Sequence, residues 1–393
     1  MPPKKVGSKL LNWASHLDDN ALEQARETAS MPFVHPHVAL MPDAHSGMGS
    51  AVGTVIPTLG AVIPAAVGVD IGCGMIGVRT SFAKSDLAGR NLADLRLSIE
   101  ASIPLSMGNY NRGIGDWEFT ASKLAELEGL AASNDVDLTH SPKWREQLGS
   151  LGSGNHFLEL CLDTTDVVWL FLHSGSRGVG NKIAKKHIAV AQRLCAQWWI
   201  DLPNKDLAYL PEGTPEFGRY IKDLRWAQRF AYLNRAEMMD RFGAVFATWM
   251  GTDDHREIER INCHHNYTVK EKHGNKDVWL TRKGAVDAHD GVKAIIPGSM
   301  GTRSYVVVGK GSASGLCSAP HGAGRRFSRT EARKRFTVDD LRNRMVGIEF
   351  RDGEEFVDEI PDAYKDIDVV MEDAVDLVTV EHELRQILNV KGT

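Results

Sequence analysis

The chain has 393 residues, a net charge of −5 and 42% hydrophobic content, enough to bury a large core and too acidic overall to attract nucleic acid nonspecifically. No window approaches the roughly 18 consecutive apolar residues of a membrane span, and Met1-Pro2-Pro3-Lys4-Lys5 is not followed by the apolar stretch of a signal peptide. Five widely spaced cysteines (73, 161, 195, 263, 317) contain no Cys-x-x-Cys pair, which argues against a disulfide framework or zinc ribbon and for a soluble cytoplasmic enzyme.

In chain order, the first predicted helix covers about 19–29 and is closed by Pro32. Val52 to Val69, rich in Val, Ile, Pro and Gly, reads as short strands with tight turns. Segment 85–150 is more helical, with a loop at Gly108–Gly115. Val167 to Leu172 is a buried-type strand ending at His173, followed by a Gly-rich turn and a helix from about Asn181 to Trp199, an arrangement that favours an anion at the turn. Further helices are predicted at about 219–242 and 367–389. Ser328-Arg329-Thr330-Glu331 is a capping-box pattern starting a short helix. Without repeats or long linkers, and with candidate site residues running from Asp43 to Lys391, the chain reads as one interwoven domain, 1–393, of mixed α and β structure.

Five of the 15 histidines sit in four short turns, three of them Gly-rich: Gly154-Asn155-His156-Phe157, His173-Ser174-Gly175-Ser176-Arg177-Gly178, Cys263-His264-His265-Asn266 and Ala319-Pro320-His321-Gly322-Ala323-Gly324-Arg325. A cysteine joins them in Val69-Asp70-Ile71-Gly72-Cys73-Gly74. Glycine permits tight turns and close ligand approach, while Cys and His bind borderline metals and His can act as a nucleophile. Asp70 and Cys73, three apart, can converge on one point. In a strand starting near His156, His156 and Leu158 face one way while Asn155, Phe157 and Glu159 face the other. With His173 and His265 the set is one carboxylate, one thiolate and three imidazoles, more than one tetrahedral metal needs and suited to two metals sharing the thiolate.

Six basic residues between Arg325 and Arg335 face one acid, Glu331, and a second basic group is Arg177, Lys182, Lys185 and Lys186. Both can be solvated helix faces or nucleic-acid contacts. Absent are the phosphate-binding P-loop pattern, the dinucleotide fingerprint (Gly47-x-Gly49-x-x-x-Gly53 misses it by one residue), the zinc nucleobase deaminase signature and a Lys-x-Asp-Gly motif.

Taken together the motifs resemble those of the RtcB-type RNA-splicing ligases over almost the full chain. They are Met41-Pro42-Asp43-Ala44-His45, Gly68-Val69-Asp70-Ile71-Gly72-Cys73-Gly74, Gly152-Ser153-Gly154-Asn155-His156-Phe157, the His173 turn, Asn262-Cys263-His264-His265-Asn266-Tyr267, Pro297-Gly298-Ser299-Met300-Gly301, the His321 turn and Ala363-Tyr364-Lys365-Asp366-Ile367-Asp368. The resemblance implies an α+β fold with intertwined sheets flanked by helices. It implies a GTP- and manganese-dependent ligase joining an RNA 3′-phosphate or 2′,3′-cyclic phosphate to a 5′-hydroxyl, through a guanylylated histidine and an RNA-3′-pp-5′-G intermediate. By that pattern Asp70, Cys73 and His156 hold one Mn(2+), and Cys73, His173 and His265 the second. His264 is set aside. His321 is the guanylylated nucleophile, with Arg177 on the RNA terminal phosphate and Asp43, like His45, in a motif near the RNA end. GTP falls to Asn155, Phe157, Asn266, Ser299, Met300, Gly322, Ala323, Gly324 and Arg325, with Glu159, Ser304, Tyr364 and Lys391 at guanine. The partner is RNA, with no membrane; the protein is expected to be monomeric, and a helper protein stays open. Met48, Asp287 and His289 depart from the pattern near the RNA groove. The alternatives are a paralogue that guanylylates 3′-phosphate ends without efficient ligation, a metal-dependent phosphoesterase, and a pure RNA-binding module.

Overall fold

The strand Gly74–Ala83 is almost wholly buried, flanked by Val167–Ser174 and Glu257–His264, and around it the larger of two main sheets is built. A computed structural model describes residues 2–106 and 108–393. The larger sheet has eight strands, in the order Glu257–His264, Gly74–Ala83, Val167–Ser174, Phe157–Asp163, Val378–Lys391, Ser304–Gly309 and Lys293–Ile296, with Glu349–Phe350 added in parallel to Val378–Lys391. It curls until its edge strands meet: Lys293 Nζ lies 2.6 Å from Glu259 Oε1. Inside the curl Met75, Phe157, Cys161, Trp169, Phe171, Ile261, Ile295, Val306 and Leu384 form one cluster drawn from all seven of those strands. Outside it, Leu158, Leu160, Val168, Leu170 and Leu172 meet Met238, Met239, Phe242 and Phe246 of the 36-residue helix Pro215–Met250. The period of two along Phe157–Asp163 therefore divides its side chains as the sequence predicts.

The second sheet is mixed, six-stranded, and ordered Lys4–Gly7, Leu10–Asn12, Val38–His45, Val52–Thr58, Lys276–Lys283 and Asn266–His273. A two-stranded ribbon, Ala285–Asp287 with Ser318–Pro320, delivers the chain to His321. The fold is α+β, with helices outside mixed sheets. No helix among the described residues is long and apolar enough to cross a membrane.

The expected helices form at Asp19–Ser30, Arg177–Gln197 and Pro215–Met250, the last two longer than their sequence signals. Ser328 caps Arg329–Arg335, accepting from the Glu331 N–H. Within the expected strand run 52–69, Pro64–Val67 is a helical turn. The expected helix 367–389 is a correction. Only Ile367–Asp373 is helical, and Val378–Lys391 is a central strand between Ser304–Gly309 and Phe157–Asp163. Its Glu and Arg content mimics an exposed helix, but two neighbouring strands offer ladder partners on both edges and override that local preference.

Candidate active site

The register of the larger sheet gathers the site at one rim. Met75 pairs with His173, Phe157 with His173, and His264 with Gly74, so the turns carrying Cys73, His156, His173 and His265 all end together. Arg235 of the long helix pins this rim from behind. Its guanidinium donates to the carbonyls of Gly72 (2.7 Å) and Ser174 (3.1 Å) and to Asn262 Oδ1. It also faces His264 Nδ1, which lies 2.8 Å from the Gly72 carbonyl; His264 thus belongs to the supporting structure and stands outside both clusters below.

Five side chains converge as two triads sharing Cys73: Asp70, Cys73 and His156, and Cys73, His173 and His265. Cys73 Sγ lies 3.5 Å from His156 Nε2 and 3.2 Å from His173 Nε2; His156 Nε2 is 3.1 Å from Asp70 Oδ2. His156 Nδ1 and His173 Nδ1 reach the carbonyls of Leu151 (3.0 Å) and Asn155 (3.1 Å), which with a cation bound would hold the Nδ1 protons and leave each Nε2 lone pair facing inward. Burial holds His173 and His265 well below the usual imidazole pKa, hence neutral, yet their Nε2 atoms stand 3.0 Å apart and His265 Nδ1 is buried without a partner. Burial and the Asp70 charge push the Cys73 thiol up. Burial works to raise Asp70 too, but His156 and Arg177 hold it at about 2. Converging lone pairs around a sulfur and a carboxylate, with their protons directed away, fit divalent cations; a bound cation would also remove the thiol proton.

The Gly-rich turn before Arg177–Gln197 was expected to receive an anion. The anion is internal: Asp70 Oδ1 accepts from the Ser176 N–H (3.0 Å), and a Cβ on Gly175 would lie 2.2 Å from the same oxygen.

Across a cavity of about 350 Å³ stands His321. Its Nδ1 is 2.5 Å from Oδ2 of the fully buried Asp43, which also accepts from the backbone N–H of His321 (3.0 Å) and Gly322 (3.3 Å). Gly324, at φ +71°, passes over Asp43 so closely that a Cβ would lie 2.2 Å from the Asp43 carbonyl oxygen. The His321 ring stands 4.7 Å from that of His265, centroid to centroid. His45, on the same strand as Asp43, is pulled down to about 4 by burial and is neutral.

The far wall is charged but internally paired. Glu359, in the helical turn Glu354–Glu359, accepts from Tyr364 Oη (2.6 Å), Lys391 Nζ (3.0 Å) and Arg325 Nη1 (3.2 Å), with Arg329 Nη2 at 3.3 Å. Burial would raise Glu359, but Lys391, Arg329 and Arg325 hold it at about 2. Arg325 also donates to the carbonyls of Phe327 and Asp358, so this expected phosphate ligand is already saturated with protein acceptors.

Most predicted residues line this cavity: Asp70, Cys73, Asn155, Phe157, His173, His265, Asn266, Ser299, Met300, His321 to Arg325, Tyr364 and Lys391. Five stand behind it. His156 and Asp43 hold their neighbours as described. Arg177 is anchored by Nε to Ser150 Oγ (3.2 Å), Ser304 accepts from the Gly298 N–H, and Glu159 is sealed one strand step beyond Phe157, accepting from Asn389 (2.7 Å). Burial raises Glu159 to about 8. Sequence reasoning missed Glu359, Arg329 as a wall residue, and Lys283. Lys283 lines the cavity, donates to the carbonyls of Met48 and Ser50, and is pulled down to about 7 by burial.

Comparison with known proteins identifies the family to which these paired cysteine–histidine clusters belong. The family model described as tRNA-splicing ligase RtcB matches residues 24–392, and the chain belongs to that family. It is similar to the RNA-splicing ligase RtcB of Escherichia coli K12, 46% identical over 96% of this chain and 95% of the relative. It is also similar to the tRNA-splicing ligase RtcB of Pyrobaculum aerophilum, 30% identical over 94% and 90%, and to RNA-splicing ligase RtcB homolog 1 of Entamoeba dispar, 30% identical over 95% and 82%.

Proposed function

We propose that this protein is an RNA ligase that uses GTP and manganese to join 3′-phosphate or 2′,3′-cyclic phosphate ends of RNA to 5′-hydroxyl ends. The observation that carries this reading is His321, with Nδ1 held 2.5 Å from a buried carboxylate on the wall of a cavity that also presents Asp70, Cys73, His173 and His265 of the two triads. A carboxylate this close to Nδ1 would favour the Nδ1–H tautomer, leaving Nε2 its lone pair for attack, as in other histidine–carboxylate pairs. In the proposed cycle Nε2 attacks the α-phosphorus of GTP and pyrophosphate leaves. The guanylyl group then passes from His321 to the RNA 3′-phosphate, and the 5′-hydroxyl oxygen attacks that phosphorus and expels GMP. Asp70, Cys73, His156, His173 and His265 would hold the divalent cations, which supply charge neutralisation at the reacting phosphates. The mixed S, N and O donor set is of borderline softness, and manganese comes from the family resemblance.

Asn155, Asn266, Ser299 and the Gly322-Ala323-Gly324 backbone are suited to the phosphates and ribose. Phe157, Tyr364 and Lys391 form the base side, with Glu159 and Ser304 behind them. In this reading the chain is one catalytic domain.

The test is sealing of a 3′-phosphate RNA fragment to a 5′-hydroxyl fragment with GTP and manganese. A joined product that needs both, and no joining of 3′-hydroxyl to 5′-phosphate ends, supports the reading. Release of inorganic phosphate without joining contradicts it and favours a phosphoesterase.

A further inference from the structure

The helix Arg177–Gln197 carries Arg177, Lys182, Lys185, Lys186 and Arg193 and no Asp or Glu, in a chain of net charge −5. The helical period sets Lys182, Lys185, Ala189, Arg193 and Ala196 on one arc, and all five are exposed. Lys186, at the edge of this arc, is paired with Asp137 and Asp223, and Lys182 donates to the His140 carbonyl. Among the described residues Lys185 and Arg193 have no acidic partner within 4.0 Å. Gln192, beside Arg193, donates to Asp206.

The face next to the arc belongs to the cavity: Arg177 stands beside Asp70, and Ile188 lines the same cavity as His321. At the C-terminus of the helix Trp198 is 44% exposed and Trp199 94% exposed. Trp199 has φ +56° at the helix C-terminus, where the Ile200 N–H closes onto the Cys195 carbonyl. That left-handed position is normally taken by glycine or asparagine, and an indole there gains nothing from packing.

We propose that this arc is the track for single-stranded RNA, taking the strand whose 3′-phosphate end enters the cavity: Lys185 and Arg193 contact its phosphates, and Trp198 and Trp199 stack on its bases. Charge complementarity and adjacency to the cavity select this occupant, and cations combined with exposed aromatic faces are how proteins hold single strands without reading sequence. The helix is about 30 Å long, which matches roughly nine stacked nucleotides. The inference rests on the RNA ligase reading and extends it to RNA well away from the reacting ends.

The full chain, Trp199→Gly and the double variant Lys185→Ala/Arg193→Ala would be compared by fluorescence anisotropy. The probes are 5′-labelled, 3′-phosphorylated single strands of about four and about twelve nucleotides, one shorter and one longer than the track. GTP-dependent labelling of His321 without RNA is measured in parallel. Wild type is expected to bind the longer strand more tightly. Trp199→Gly should keep or raise the melting temperature, since glycine suits the left-handed position, and still weaken the longer strand about fivefold or more while leaving the shorter one unchanged. The double variant should lower the slope of log affinity against log salt by about 1.4. Unchanged affinity of both variants for the longer strand, with the shorter still bound, overturns the track and turns the tryptophans toward a protein partner. A wild type that binds neither strand and takes no label on His321 overturns the ligase reading itself.

Discussion

The two ends of the cavity solve opposite problems. At the Cys73 end the polar groups are short of partners: two neutral imidazole nitrogens stand 3.0 Å apart, His265 Nδ1 has none, and a thiol sits among them. At the Glu359 end one carboxylate gathers a tyrosine, a lysine and two arginines, and little is left over. The first end has the donor set for a cation and lacks balancing charge. The second is complete as folded, a rigid, charge-balanced wall. Preorganisation costs stability where the ligand supplies what is missing, and contributes stability where the protein supplies everything.

Loss of the shared thiolate should do the most damage. Cys73→Ala takes one ligand from both triads; ligation is expected to fall at least about 10²–10³-fold. Manganese should raise the melting temperature of wild type, by an amount equivalent to about 2.7 kcal/mol at a hundredfold excess over its dissociation constant, and should not stabilise the variant. Equal stabilisation of both would remove the metal from the account.

At the other end, Glu359→Gln strands Lys391, Arg325 and Arg329 beside a neutral amide. Breaking such a buried pair costs about 3–5 kcal/mol, readable by urea denaturation, and the loss should be independent of manganese. A loss that manganese reverses would show the two ends to be one system.

The neighbouring Glu159 sharpens the contrast because its shift has the opposite sign. Its folded pKa of about 8 lies above its unfolded value, so the folded state holds the proton longer. Its contribution is therefore complete below about pH 4.5 and is lost as pH rises toward 8, by at most about 1.4 kcal/mol per pH unit. Glu359, held low, contributes in the reverse direction, its share vanishing as pH falls through about 2. Denaturation of Glu159→Gln from pH 5 to 8 should give a flatter profile than wild type, and parallel profiles would contradict the assignment. The smallest effect is at the cap of the helix that brings Arg329 to the wall: Ser328→Ala should cost about 1 kcal/mol in thermal denaturation and leave manganese binding intact.

The same contrast governs what could be read from the sequence. The cation end was legible because Asp70, Cys73, His156, His173 and His265 each sit in a short turn of Gly, Ser or Asn, and those turns leave a local signature. Glu359 has no such signature: it lies in Glu-Glu-Phe-Val-Asp-Glu, an ordinary acidic stretch, and acquires its role only when the chain brings Lys391 and Arg325 around it. Lys283 was hidden in the same way, since its acceptors are backbone carbonyls more than two hundred residues away. In the fold, amphipathic helices such as Asp19–Ser30 and Pro215–Met250 announced themselves, with imprecise ends. The strand Val378–Lys391 did not, because its state is set by the neighbours on either side.

Whether Asp43 and the cavity prepare His321 as the nucleophile is read from incubation with α-labelled GTP and manganese, wild type beside His321→Ala. An acid-labile label on wild type alone is the predicted result, that lability being the mark of a phosphorus–nitrogen bond. No label on folded, manganese-bound wild type, or equal labelling of His321→Ala, would contradict the account.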